Sequence, residues 1–101
     1  MNKNGMRPVH PGEILREDYL SELGMSASAL ARALAVPVPR ITDVLRERRG
    51  ISADTALRLA RYFDTTAQFW LNLQAAYDLR VAEIAAGPRI RKEVAVKARA
   101  A

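Results

Sequence analysis

The stretch Val36-Pro37-Val38-Pro39 constrains this chain more than any other. Proline lacks an amide hydrogen, and its ring pushes the preceding residue toward extended backbone, so no helix runs undisturbed through these four positions. Leu30, Ala31 and Leu34 recur at helical spacing before the stretch, and Ile41, Val44 and Leu45 do so after it. Two short amphipathic helices therefore flank a turn of about four residues. Ser26 or Ser28 caps the first helix, and the second begins between Pro37 and Pro39, where a proline in the opening turn costs no hydrogen bond.

The remaining sequence supplies helices to cover this pair. Pro11 can open a helix over residues 11–23, with Leu15, Tyr19 and Leu23 on one face and Gly24 as its left-handed stop. Gly50 is the expected stop after the proline-flanked helix, which reaches to about Arg48. Ser52 then caps a fourth helix carrying Ala56, Leu59, Ala60 and Phe63. Thr65 and Gln68 have the spacing of a capping box. A fifth helix follows with Trp70, Leu73, Tyr77, Val81 and Ile84, and the Gly87-Pro88 pair is expected to break it. No stretch alternates strictly at strand length. The fold class is thus all-α: a five-helix bundle over residues 11–86, a flexible segment at 1–10, and a basic tail at 87–101 that forms a sixth helix or stays disordered.

At 101 residues the chain suits one domain, and with half its residues apolar it can bury a core. It has no cysteine, so disulfides and thiolate zinc sites are excluded. No apolar run approaches the roughly 20 residues of a membrane span, and the expected compartment is the cytoplasm. The net charge of +5 is polarised. Glu13, Glu17, Asp18 and Glu22 outnumber Arg16 in the first helix, whereas Arg40, Arg46, Arg48 and Arg49 crowd together and Arg89, Arg91, Lys92, Lys97 and Arg99 mark the tail. Such a basic cluster suits a polyanion.

Enzyme chemistry finds little support. His10, the single histidine, lies in a proline-flanked segment and reads as a surface or capping residue rather than a catalyst or metal ligand. Glu13, Glu17 and Asp18 read as a solvated face. No catalytic site, metal or cofactor is implied.

The two short helices have the layout of a DNA-reading helix-turn-helix, whose second helix enters the major groove. Leu23-Gly24-Met25-Ser26, Leu30-Ala31, Ile41, Leu45 and Arg49-Gly50 fall at the framework positions of phage-repressor-like domains. The opening His10-Pro11-Gly12-Glu13-Ile14-Leu15 and residues 51–83, above all Phe69-Trp70-Leu71-Asn72-Leu73-Gln74, resemble the HigA/VapI family of antitoxins. The chain departs from that pattern in having Ala27, Ala29 and Ala35 where Gln, Glu and Gly are common, and Pro39 where a polar residue is.

Base readers are then sought among Val38, Pro39, Arg40, Thr42 and Asp43: arginine suits guanine, aspartate accepts from cytosine, and apolar atoms touch thymine methyls. Ser26, Ser28, Arg46, Arg48 and Arg49 are the phosphate-contact candidates, since three arginines exceed what a helix end needs. Helix 5 is apolar on more than one side, which makes Phe69, Leu71, Val81 and Ile84 candidates for contact with a second copy. The resemblance implies a homodimer that represses its own operon by binding double-stranded operator DNA, with recognition helices about 34 Å apart. It also implies a cognate HigB-type toxin as partner. The alternatives are a stand-alone regulator without a toxin, and a protein-interaction module that has lost operator recognition.

Overall fold

The computed structural model describes residues 7–98. Five helices form, and no strand occurs among the described residues. The first, α1 (11–23), opens as an α-helical turn at Pro11–Ile14, passes through a π-helical segment at Leu15–Leu20 and closes with Ser21–Leu23. It is followed by α2 (Ala27–Leu34), α3 (Val38–Leu45), α4 (Ala53–Phe63) and α5 (Ala67–Glu93).

The π-helical segment changes which face of α1 turns inward. The Ser21 amide donates to the Arg16 carbonyl five residues back, widening the turn. Leu15 and Leu20 are both buried as a result, while Leu23, expected on the inner face, is 60% exposed. Gly24 takes the left-handed conformation expected of a helix stop, with φ 60°.

The segment before α1 is built into the fold where it is described, contrary to the flexible reading of residues 1–10; residues 1–6 lie outside the described residues. Arg7 grips Glu13 through two hydrogen bonds of 2.9 and 2.8 Å, and this contact holds the Glu13 carboxyl below its usual range. His10 is buried and is the N-cap of α1: its Nδ1 accepts from the Gly12 amide at 2.8 Å. Its ring meets Tyr77 of α5 edge-on at 4.8 Å. Gly12 then lies so close to α3 that a Cβ there would stand 1.9 Å from the Val44 carbonyl oxygen. A close backbone approach therefore requires glycine.

Ser26 caps α2 through the Ala29 amide at 3.0 Å, which decides between the two serine candidates. Ser52 caps α4 through Thr55. The capping box expected of Thr65 and Gln68 does not form. Thr66 caps α5 by accepting from the Phe69 amide, Gln68 reaches Asn72, and Thr65 accepts from the indole of Trp70 at 2.8 Å. That bond satisfies the one polar atom of the largest fully buried side chain. Around Trp70 stand Tyr19, Phe63 and Phe69, with ring centroids 5.1, 6.4 and 5.0 Å away. Leu30, Ala31 and Leu34 of α2, Ile41 and Val44 of α3, Ile51, and Ala56 and Leu59 of α4 complete the core.

Two helix boundaries differ from expectation. α3 ends at Leu45, and Glu47 supplies the left-handed residue with φ 64°, not Gly50. α5 continues through Gly87 and Pro88 to Glu93, so residues 87–93 extend that helix and no separate sixth helix forms among the described residues. Pro88 withholds one amide from the Ile84 carbonyl on an exposed stretch where water can replace it. Ala82, Ala85 and Ala86 favour the helix, and Arg91 and Lys92 complement its end. Besides Gly24, the stops of α2, α3 and α4 use non-glycine residues at positive φ: Ala35, Glu47 and Asp64.

Two outcomes are expected. Gly12→Ala should lower the unfolding free energy in urea by about 3 kcal/mol, because a backbone oxygen cannot move aside as a side chain can. Burial also pushes the His10 pKa below its ordinary 6.5. The unfolded chain therefore takes up the proton first, and the stability due to neutral His10 is complete above pH 6.5 and fades as pH falls through the depressed value. Urea midpoints measured between about pH 5 and 7 should fall with acidity in the parent, and this slope should flatten in His10→Asn, which keeps a capping side chain without titrating and leaves only the carboxylates at the acid end.

Candidate nucleic-acid interface

At about 100° per residue, α3 divides into two faces. Ile41 and Val44 point inward and are fully buried, and Leu45 packs beside them. Pro39, Thr42 and Asp43 fall on the opposite side, continued by Arg46, and Val38 lies at its margin with 38% exposure. The Thr42 hydroxyl is 3.4 Å from both the Val38 and Pro39 carbonyls. The outward face thus offers aliphatic carbon, one hydroxyl and one carboxylate.

Arg40 does not belong to that face. It lies on the flank, and its guanidinium pairs with Asp54 in the first turn of α4. Asp54 also receives Arg58 at 2.8 Å, and the two arginines hold its carboxyl below its ordinary pKa, Arg58 contributing more. Arg58 reaches further, donating to the Leu34 carbonyl at 2.9 Å where α2 ends. This side chain fastens α4 to the turn that separates the two short helices.

Arg46, Arg48 and Arg49 follow α3 in an exposed loop rather than within the helix. Amide bonds from Glu47 to Val44 and from Arg48 to Asp43 fold the loop back over the helix end. Arg49 lies 3.7 Å from Asp43, while Arg46 and Arg48 have no carboxylate partner among the described residues. Arg16 of α1 caps the same end, donating to the Leu45 carbonyl at 2.6 Å and standing 3.7 Å from Glu47. At the start of α2, Ser26 acts as cap and Ser28 is exposed, and the first-turn amides there have no intrahelical acceptor. Anions favour such a site. Glu17 pairs with Arg16 at 3.1 Å, and the acidic side chains of α1 form no buried pair among the described residues.

A helix-turn-helix family model matches residues 15–70, more than half of the chain. Virulence-associated protein I of Dichelobacter nodosus is 63% identical over 81 residues, covering 80% of this chain and 75% of that protein. The chain belongs to the HigA/VapI family of helix-turn-helix antitoxins. Among solved structures, Pseudomonas aeruginosa antitoxin HigA with the higBA promoter superposes with a TM-score of 0.86 at 57% identity, covering 88% of this chain and 97% of that one. Antitoxin GraA in complex with its operator gives 0.89 at 56% identity, over 98% and 100% of the two chains. The family comprises DNA-binding antitoxins and regulators, which is not an enzyme class.

The HigA/VapI framework also includes α5, where the second-copy candidates separate into two groups. Val81 and Ile84 are exposed, at 39% and 56%, and Leu79 and Ile90 join them. Leu71 packs against the core instead, while Phe69 leans on Trp70 with one edge and stays 37% exposed, about as open as Val81. No helix among the described residues is long and apolar enough to cross a membrane.

Two residues that organise this surface were not picked out from sequence: Arg16 and Arg58. The first was read only as a lone cation in an acidic helix; the second could have been suspected from its i, i+4 spacing to Asp54. Arg58→Ala should lower stability by about 1 kcal/mol in urea titration, given the partial exposure of the bond. Arg58→Lys should not restore it, because a single ammonium cannot serve the Asp54 carboxylate and the Leu34 carbonyl in this fork geometry.

Proposed function

We propose that this chain represses its own operon as a homodimer bound to operator DNA and neutralises a HigB-type toxin by direct contact. The observation that carries the reading is the α3 face with its bordering arginines. It stands on a frame shared with family members solved with a promoter or operator. No catalytic step is part of the proposal, and work on operator DNA is work done in the cytoplasm.

In this reading α3 lies in the major groove. Val38, Pro39 and the Thr42 methyl meet thymine methyls, and Asp43 accepts from a cytosine amine if Arg49 leaves it. Arg40, held by Asp54, serves at the flank. Arg46, Arg48, Arg49, Ser28 and the amide end of α2 grip phosphates, with Ser26 fixing that end. Phe69, Val81 and Ile84 meet the second copy. Pro39 and Ala27 leave two usual hydrogen-bonding positions without a polar side chain, which supports a second reading in which the module binds only protein.

Fluorescence anisotropy on the upstream DNA and on a scrambled duplex, across a salt series, tests this. Operator-selective binding with a log–log salt slope of about −5 to −7 is expected, corresponding to six to eight phosphates per dimer. Arg48→Ala should make that slope shallower by about two, one phosphate per protomer, on both duplexes alike. Binding that is absent at low salt sinks the proposal and favours the protein-only module.

A further inference from the structure

The arginine loop is closed at its far end by a side chain from α5. Gln74 Oε1 accepts the amide of Ile51, a buried residue, at 2.7 Å. Its Nε2 donates to Asp78 Oδ1 one turn along α5 at 2.9 Å, which fixes the orientation of the carboxamide. The same carboxamide occupies the space beside Gly50: a Cβ there would be 2.9 Å from each of its three outer atoms. Gly50 is therefore small to admit Gln74, and not because it ends α3. Glu47 already does that at φ 64°.

We infer that Gln74 is a positioning residue for DNA binding, acting through the loop that carries Arg46, Arg48 and Arg49. The reasoning is one of anchorage. The loop begins at the end of α3, where Arg16 holds Leu45. It ends at Ile51, where Gln74 holds the amide. Between these two anchors the arginines are exposed, and Arg49 alone has an ionic partner among the described residues. A loop fixed at both ends presents its guanidinium groups at set positions, so binding phosphates loses less conformational freedom. Released at Ile51, the same charges remain but must be ordered on contact. The inference rests on the DNA-binding reading above and adds the residue that sets its strength from outside the interface.

The test is a cycle of Gln74→Ala, Gly50→Ala and the double variant, read by anisotropy on operator and scrambled DNA over a salt series, with parent protein alongside. Gln74→Ala should weaken binding to both duplexes about tenfold while leaving the salt slope near that of the parent, because the same phosphates are contacted at a higher ordering cost. Gly50→Ala displaces the carboxamide and should have the same effect. The double variant should bind no worse than Gln74→Ala alone, because the two substitutions break one contact. Gln74→Glu combined with Asp78→Asn retains the acceptor for Ile51 and a donor for the other oxygen, and should recover part of the loss. Faster amide exchange at Ile51 in the free Gln74→Ala protein is expected as well, and does not depend on DNA. Parent-like affinity in a folded Gln74→Ala protein would overturn the inference, as would a slope shallower by a lost phosphate or a double variant with additive losses. Failure of the parent itself to bind would count against the proposed function, and the Ile51 exchange would still report on the anchor.

Discussion

The end of α3 is fixed through its own backbone carbonyls. Gly12 brings the first turn of α1 into contact with the Val44 carbonyl, and Arg16, one turn further on, donates to the next carbonyl, that of Leu45. Nothing bulkier fits at the first contact, and the second satisfies an acceptor that every helix end leaves open. Much of the architecture follows from this. Pro11 and His10 must start α1 at the right place, His10 must then be buried to cap it, and Tyr77 of α5 provides the ring that covers it. Two segments distant from α3 in sequence are thereby committed to the position of that one short helix.

The order and extent of the helices could largely be read from the residues. Prolines at 37 and 39, serines at 26 and 52, and Gly24 act locally, through dihedral angle or a bond to a nearby amide, so sequence displays them. What could not be read depends on partners far along the chain or on local geometry that departs from the regular helix. Gly50 looks like any helix stop until Gln74, 24 positions later, is seen to fill the space beside it. Thr65 looks like a cap until the Trp70 indole claims its hydroxyl. Leu20 replaces Leu23 in the core because of a single widened turn, and helical periodicity assumes there is none. Pro88 shows the reverse error: a local rule applied to an exposed helix where water compensates the missing bond.

The candidate surface divides in a similar way. Arg46 and Arg48 were evident as a basic cluster, and they stand unpaired among the described residues. Arg40 shared the same sequence neighbourhood, yet the helix turns it toward Asp54. Charge density along a chain therefore overstates what a surface can offer to a polyanion, since some cations are engaged in holding the fold. Arg16 and Arg58 are of that kind, each stitching a helix end of the DNA-reading pair to a neighbouring helix.

The left-handed conformations of Ala35, Glu47 and Asp64 have a consequence for how this surface can change. A residue with a Cβ gives up roughly 1 to 2 kcal/mol in that conformation, which glycine would not. The fold thus stands below the stability open to it by single substitutions at three exposed turns. A base-reading face explores new sequences only if the domain tolerates destabilising replacements there. These turns amount to unused mutational tolerance: a lineage that acquired a glycine at one of them could accept a replacement on α3 that the present chain would not survive.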